Sequence, residues 1–389
     1  MIAQIKKDFS LSALIAGFII VLVGMTSSVV IVLQAAQSFG VDSKHTSSWL
    51  GSLCLGMGFL TIYFSLKYKS PVLMAWSTPG AVLLAAGSSG FSLKEAIGAF
   101  LFSAFLIFIF GITGWFEKIM KHISLSLTAG LLAGVLVHFC IDAFKMMQIN
   151  LFLIGTMFVF YLIGRKYKPY MAMFFSIFSG ILISIYLGLF NINQIELSTT
   201  HFQWTNPEFS LLSIISLGIP LFVITMASQN LTGISVSRSY GFQTPISSQI
   251  TGLGLVNIIT AFFGGFAINM AAITAAIGMG PGSNPDKDKR YISGIVSGLL
   301  YMIIGLFAGT VSSLFAAFPI QLITAITGFA LLGIVLSSLE TAVSIASEKE
   351  AAFITFIVAA SGISFFGIGS AFWSIIAGLA IQFFLKNRK

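Results

Sequence analysis

Apolar runs of about 20 residues recur from Leu11 to Leu385, and each is long enough to cross a hydrocarbon core of about 30 Å as a helix. Stretches such as Leu101 to Gly111 and Leu299 to Gly309 are apolar on every face. A strand of a membrane barrel would instead alternate in polarity over about 10 residues. The chain is 57% hydrophobic and 8% charged, whereas a soluble domain carries about 25% charged residues to cover its surface. The expected class is therefore an all-α integral membrane protein. The first run, Leu11 to Leu33, follows Lys6 and Lys7 like a signal peptide. It is too long for one and shows no small-residue cleavage site.

The net charge of +8 does not point to nucleic acid, because the basic residues sit singly at helix ends rather than along one face. Cutting at polar and Gly/Pro-rich breaks gives fourteen segments, near 11–38, 48–66, 71–88, 95–117, 123–146, 149–165, 170–190, 211–238, 245–265, 267–279, 291–314, 320–344, 351–366 and 369–386. With a cytoplasmic N-terminus, only Lys44, Lys94 and Lys145 of the 20 Lys and Arg fall outside. The other seventeen lie in cytoplasmic connections, which predicts both termini inside. The lipid bilayer is thus the chain's first partner. The link 191–210, without Lys or Arg, is expected outside as the joint between halves 1–190 and 211–389.

The halves resemble one another. An offset of 201 lays Met25-Thr-Ser-Ser28 on Met226-Ala-Ser-Gln229, and an offset of 198 lays Gly130 on Gly328 and Asp142 on Glu340. Seven segments is an odd number, so the second copy must enter from the opposite side, giving a seven-plus-seven inverted repeat. The third and tenth segments are poor spanning helices. In Trp76-Ser-Thr-Pro-Gly80, Pro79 suits the first helical position with Thr78 or Ser77 as N-cap. Gly264-Gly-Phe-Ala-Ile-Asn-Met270 follows the same logic through its glycines and Asn269. Each reads as a short extended stretch entering the membrane, then a half-helix starting near the midplane. Such backbone is tolerated at depth only inside protein or beside water. The alternative is a Pro79 kink in an ordinary helix and glycines used for packing.

Half-helix N-termini present unpaired N–H groups and a partial positive charge, which suits an anion without a dedicated arginine. The neighbouring side chains are uncharged: Thr26, Ser27 and Ser28; Ser77 and Thr78; Ser228, Gln229 and Asn230; and Asn269. Helix packing and bonding to the preceding turn are the bland alternative for the hydroxyls. Trp76 and Phe266 are candidate wall residues for an apolar substrate body. Ionisable groups at depth are His138, Asp142 and Glu340. The two acids come far enough along their helices to be interfacial anchors. His138 and Asp142, spaced i to i+4, offer a proton relay.

No enzyme signature, metal site or cofactor motif appears: G-x-x-x-x-G-K-[ST] and H-E-x-x-H are absent, and the four histidines are scattered. Cys54 and Cys140 lie within apolar helices and read as small core residues. The reading favoured by the residues is secondary transport of a small organic anion.

Five motifs carry a family resemblance: Trp76-Ser-Thr-Pro-Gly-Ala81, Ile219-Pro-Leu-Phe-Val-Ile-Thr-Met-Ala-Ser-Gln-Asn230, Ala271-Ala-Ile-Thr-Ala-Ala276, Asn284-Pro-Asp-Lys-Asp288 and Gly367-Ile-Gly-Ser-Ala-Phe-Trp373. Together they resemble the BenE family of benzoate/proton symporters over nearly the whole chain. The resemblance implies an inner-membrane carrier with the inverted-repeat fold of uracil and sulfate carriers. It implies a core domain (segments 1–4 and 8–11, about 11–117 and 211–314) that moves against a gate domain (segments 5–7 and 12–14, about 123–190 and 320–386). The substrate, an aromatic carboxylate accompanied by a proton, would sit between segments three and ten. The nucleobase branch of that fold has glutamates in segments eight and ten, where this chain has Ser228, Gln229 and Asn269. That exchange suits a substrate bringing its own negative charge, but it leaves the proton carrier open. An anion channel, a carrier of another organic anion or nucleobase, and a membrane-embedded enzyme are the competing classes. A homodimer is compatible with the chain, whose sequence fixes no oligomeric state.

Overall fold

In a computed structural model, residues 2–386 are described apart from 89, 117–123, 168–170, 192, 194 and 366–367. The first half contains α1 (Leu11–Ser38), α2 (Ser43–Tyr68), α3 (Thr78–Gly87), α4 (Leu93–Thr113), α5 (Leu125–Lys145), α6 (Leu151–Tyr167) and α7 (Ala172–Tyr186). The second contains α8 (Leu211–Arg238), α9 (Ile246–Ala261), α10 (Ile273–Met279), α11 (Tyr291–Leu306), α12 (Ile320–Val343), α13 (Lys349–Ala360) and α14 (Ser370–Lys386). Among the described residues six helices are individually long and apolar enough to cross a membrane, and α1 makes a seventh if its two arms count as one span. Large apolar side chains such as Phe105, Phe160, Phe178 and Phe353 face outward, as a lipid-facing surface allows and a water-facing one does not.

The helices pack in two groups. In one, α2 lies along α11, α4 along α9, and α1 against α3 and α11. In the other, α5 lies along α12 and α13, and α6 along α7. Small residues permit the close approaches: a Cβ at Gly130 would stand 2.3 Å from the Ala352 carbonyl, and one at Gly254 2.4 Å from the Phe108 backbone.

Two extended strands meet between the halves. β1 (Met74–Trp76) runs antiparallel to β2 (Ile268–Met270), pairing Met74 with Met270, Ala75 with Asn269 and Trp76 with Ile268. This pairing satisfies backbone groups that have neither helix nor water at that depth. Side chains supply the remainder. Thr61 Oγ1 accepts from the Met74 N–H (3.0 Å), Asn230 Oδ1 from the Met270 N–H (2.9 Å), and Asn257 Oδ1 from the Ile268 N–H (2.7 Å). The Asn257 Nδ2 in turn donates to the Ile268 carbonyl at 2.9 Å.

Several details depart from the sequence expectation. α3 starts at Thr78 with Ser77 as N-cap, so Pro79 occupies the second helical position rather than the first. Asn269 lies inside β2 and caps nothing; α10 begins at Ile273 and has no side-chain cap. The extra residues are consumed by the strand pairing. Segment eleven, expected over 291–314, stops at Leu306 and resumes as a short helix, Ala308–Ala316. The helix of segment thirteen stops at Ala360, and an antiparallel pair of short strands, Ser364–Phe365 with Ile368–Gly369, precedes α14; the expected end at Phe366 lies outside the described residues. The basic residues Lys118, Lys121, Lys168, Arg388 and Lys389 used for topology lie outside the described residues.

α1 bends by 41° between its arms Leu11–Thr26 and Ser28–Ser38. Thr26 Oγ1 donates to the Leu22 carbonyl (2.8 Å) and Ser28 Oγ to that of Gly24 (3.1 Å). Such back-bonding in a Gly/Ser/Thr-rich turn is an ordinary cause of a bend. α8 holds two π stretches, Ile214–Gly218 and Ile224–Asn230, and the second carries Ser228, Gln229 and Asn230. A π turn displaces the side chains that follow it and is common at functional sites.

Candidate substrate site

A cavity of about 610 Å3 opens where these irregularities converge. One wall comes from the bend of α1, from β1, the start of α3, the second π stretch of α8, and α10; the other comes from α5, α6 and α12. Of the residues anticipated from sequence, Thr26, Ser28, Trp76, Thr78, Ser228, Gln229 and Asn269 line it. The Ser27 side chain lies outside the described residues.

The start of α3 offers a limited set of donors. Ser77 Oγ accepts from the Gly80 N–H (3.1 Å), the Ser77 carbonyl accepts from the Ala81 N–H (2.8 Å), and Pro79 has no N–H. That leaves the Thr78 N–H, beside the Thr78 hydroxyl, at the positive end of the helix. α10 is only seven residues long, so its field is weaker than that of a second full half-helix. Gln229 Nε2 donates to Ser228 Oγ at 3.1 Å. Its carboxamide makes no bond to the strands.

Three anticipated residues are used elsewhere. Ser77 is the fully buried cap, and Asn230 is fully buried with its amide spent on the Met270 N–H and on Met226 Sδ (3.2 Å). Phe266 packs with Trp49 and Phe100, ring centroids 6.2 and 6.3 Å apart, away from the cavity. Trp76 does line the cavity, held by its Nε1 donating to Ser28 Oγ at 2.8 Å. Asn269 is partly committed: in the amide orientation that satisfies both ends, it donates to the Met270 carbonyl (3.1 Å) and accepts from the Ser77 N–H (3.2 Å).

The expected His138–Asp142 relay is not formed. Asp142 pairs with Lys145 at 2.9 Å, one turn toward the helix end, and His138 bonds the Ala360 carbonyl. Glu340 is exposed, and none of the three lines the cavity.

Among the lining residues not anticipated from sequence are three aromatic side chains and a cation: Tyr161, Tyr301, Phe329 and Arg165. Tyr161 stacks on Phe329 (5.9 Å, 29°), and Tyr301 meets Trp76 edge to face (6.5 Å). Trp76 and Tyr301 on one wall and Tyr161 on the other each keep a few per cent of their surface open, which gives the cavity aromatic edges to pack against, while the fully buried Phe329 backs Tyr161. Tyr161 and Arg165 stand i to i+4 on one face of α6. That spacing was visible in the sequence, but not that this face turns toward α12.

The chain matches the family model BenE, benzoate membrane transport protein, over residues 7–384. The chain belongs to the BenE family. It is 35% identical to the benzoate membrane transport protein of Acinetobacter baylyi over 389 residues, covering 100% of this chain and 99% of that protein. It is 40% identical to the inner membrane protein YdcO of Escherichia coli over 365 residues, 94% of this chain and 93% of that one. This BenE member is a multi-pass inner-membrane transporter and not an enzyme. Its fold resembles the transmembrane domain of a cyanobacterial bicarbonate transporter, BicA (TM-score 0.62, 14% identity, 95% and 97% of the two chains). It also resembles the murine anion transporter Slc26a9 in the inward-facing state (TM-score 0.66, 13% identity, 97% and 68%). At that identity the likeness concerns the fold alone.

Proposed function

We propose that this BenE protein imports an aromatic monocarboxylate of the benzoate type together with a proton. The carboxylate rests against the Thr78 N–H and hydroxyl at the start of α3, with the Gln229 amide completing its hydrogen bonds, and the ring lies among Trp76, Tyr301 and Tyr161, which Phe329 backs. The observation that carries this reading is the cavity itself: an unpaired helix-terminal N–H and neutral amides beside aromatic edges, with no carboxylate among its described lining residues. The name of the Acinetobacter relative supports benzoate as the substrate.

In the same proposal the chain has fourteen segments in a seven-plus-seven inverted repeat. Segments 1–4 and 8–11 form a core that moves against a gate of segments 5–7 and 12–14, with the cavity between them. Support comes from the separate packing of α1, α2, α4, α9 and α11 on one side and of α5, α6, α12 and α13 on the other. An interface between two separately packed bodies can rock without unpacking either one.

Counterflow in proteoliposomes tests the function. Vesicles preloaded with unlabelled benzoate should accumulate labelled benzoate transiently, and acid outside should speed uptake. Absence of counterflow in the presence of conductance would establish a channel. Sodium-dependent, pH-independent uptake would reject proton coupling.

The orientation, with both termini and the 280–290 loop cytoplasmic, is tested by cysteine labelling. Thr199 and Asp288 are exposed, and the native Cys54 and Cys140 are buried. In intact cells an impermeant maleimide should label Thr199→Cys and spare Asp288→Cys. The reverse pattern would invert the topology.

A further inference from the structure

Arg165 is the one charged side chain among the cavity's described lining residues. Arg165 is exposed, as are its neighbours Lys166 and Tyr167, but those two do not line the cavity and sit together with the Lys166 Nζ 5.3 Å from the Tyr167 ring. Positive charge at this end of α6 therefore does not require an arginine at the cavity. The guanidinium instead lies against α12, its Nη1 3.6 Å from where a Cβ on Gly333 would stand. No carboxylate pairs with it among the described residues. The Ser337 and Thr341 hydroxyls of that wall donate to their own helix, at 3.1 and 2.8 Å, and bring no charge. Tyr161, one turn earlier on the same face, continues the lining inward.

We infer that Arg165 forms an anion station at the cavity mouth, where an entering or leaving carboxylate is held by the guanidinium before or after it occupies the start of α3. An unpaired cation between low-dielectric walls concentrates anions in the cleft it faces. The guanidinium fork also matches a carboxylate in shape. The station rests on the carboxylate reading proposed above and adds a second, cationic position to its neutral site. The residue acts on access at one membrane face, so its loss should be felt from that face and should depend on ionic strength.

Benzoate exchange is measured in proteoliposomes of the full-length protein, with labelled substrate presented at the face that carries Arg165. Arg165→Gln should raise the half-saturating concentration there about tenfold, and Arg165→Lys, which keeps the charge, by less than about threefold. Salt should weaken apparent affinity in the unsubstituted protein and in Arg165→Lys, but not in Arg165→Gln. Equal half-saturation and equal salt response in unsubstituted protein and Arg165→Gln would overturn the station. So would equal losses in Arg165→Gln and Arg165→Lys accompanied by lowered thermal stability, which would assign the side chain to the fold. If the unsubstituted protein exchanges no benzoate at either face, the carboxylate reading itself fails and this inference falls with it.

Discussion

Gln229→Glu should lower the affinity for benzoate by nearly a thousandfold at neutral and alkaline pH while leaving the protein folded. The Gln229 amide touches only Ser228 in the described hydrogen bonds, so the substitution adds a charge without taking a partner from the strands. Two negative charges about 4 Å apart at an effective dielectric constant of about 20 repel by roughly 4 kcal/mol, and each 1.4 kcal/mol or so is tenfold in binding. Burial favours the protonated acid. The defect should therefore deepen as pH rises and the new carboxyl ionises, a pattern that misfolding does not produce. Gln229→Ala removes the hydrogen bonds without the repulsion and should cost less. Normal benzoate transport by a membrane-inserted Gln229→Glu protein at alkaline pH would place the carboxylate elsewhere. Asn269→Asp is the poorer probe, because its amide also donates to the Met270 carbonyl and an acid would break that bond as well.

Asn257→Ala should cost about 2–6 kcal/mol of stability and abolish transport together. The Asn257 amide is buried and satisfies both polar groups of Ile268, accepting from its N–H and donating to its carbonyl. Removing it leaves two buried backbone groups without partners, at about 1–3 kcal/mol each. That is a large share of a stability of about 5–15 kcal/mol. Asn257→Asp should retain the bond from the N–H but lose the donor to the carbonyl. Thermal unfolding in detergent, with expression level as a check, reads the effect. An Asn257→Ala protein that melts like the unsubstituted one and transports benzoate would show that β2 is held without this clamp.

Asn230 and Asn257 show why part of the site was illegible in sequence. Both are amides in apolar helices, and Asn230 sits beside Gln229 in the same π stretch. Sequence reasoning grouped Asn230 with Gln229 as substrate ligands, whereas Asn230 is spent on the Met270 N–H and Gln229 faces the cavity. A helix with a π turn shifts its following side chains in angle, so counting at 3.6 residues per turn could not tell which of the two adjacent amides would face the cavity. Phe266 failed for a related reason. It follows the paired glycines, and Gly264, with φ of +93°, turns the chain so that Trp49 and Phe100 receive the ring. In the sequence Arg165 reads only as a topological charge, because nothing local says which neighbour the end of a helix will face.

The membrane class was determined by the sequence alone, because an apolar run of sufficient length has no stable place in water and must form backbone bonds within itself in lipid. The interruption before Thr78 was equally local, since a proline after Ser77 and Thr78 cannot extend a preceding helix but can start a new one. Local chemistry could likewise nominate Thr78, Ser228 and Gln229, whose neutral polar groups stand out in apolar spans. Only the tertiary structure decided which polar groups remained available. That outcome depends on pairings between residues nearly 200 positions apart, such as Ala75 with Asn269, whose strands consume some hydrogen-bonding groups and leave others facing the cavity. A buried polar group acts on a ligand only when the fold has not already satisfied it, and that remainder is a property of the packed molecule rather than of any segment of the chain.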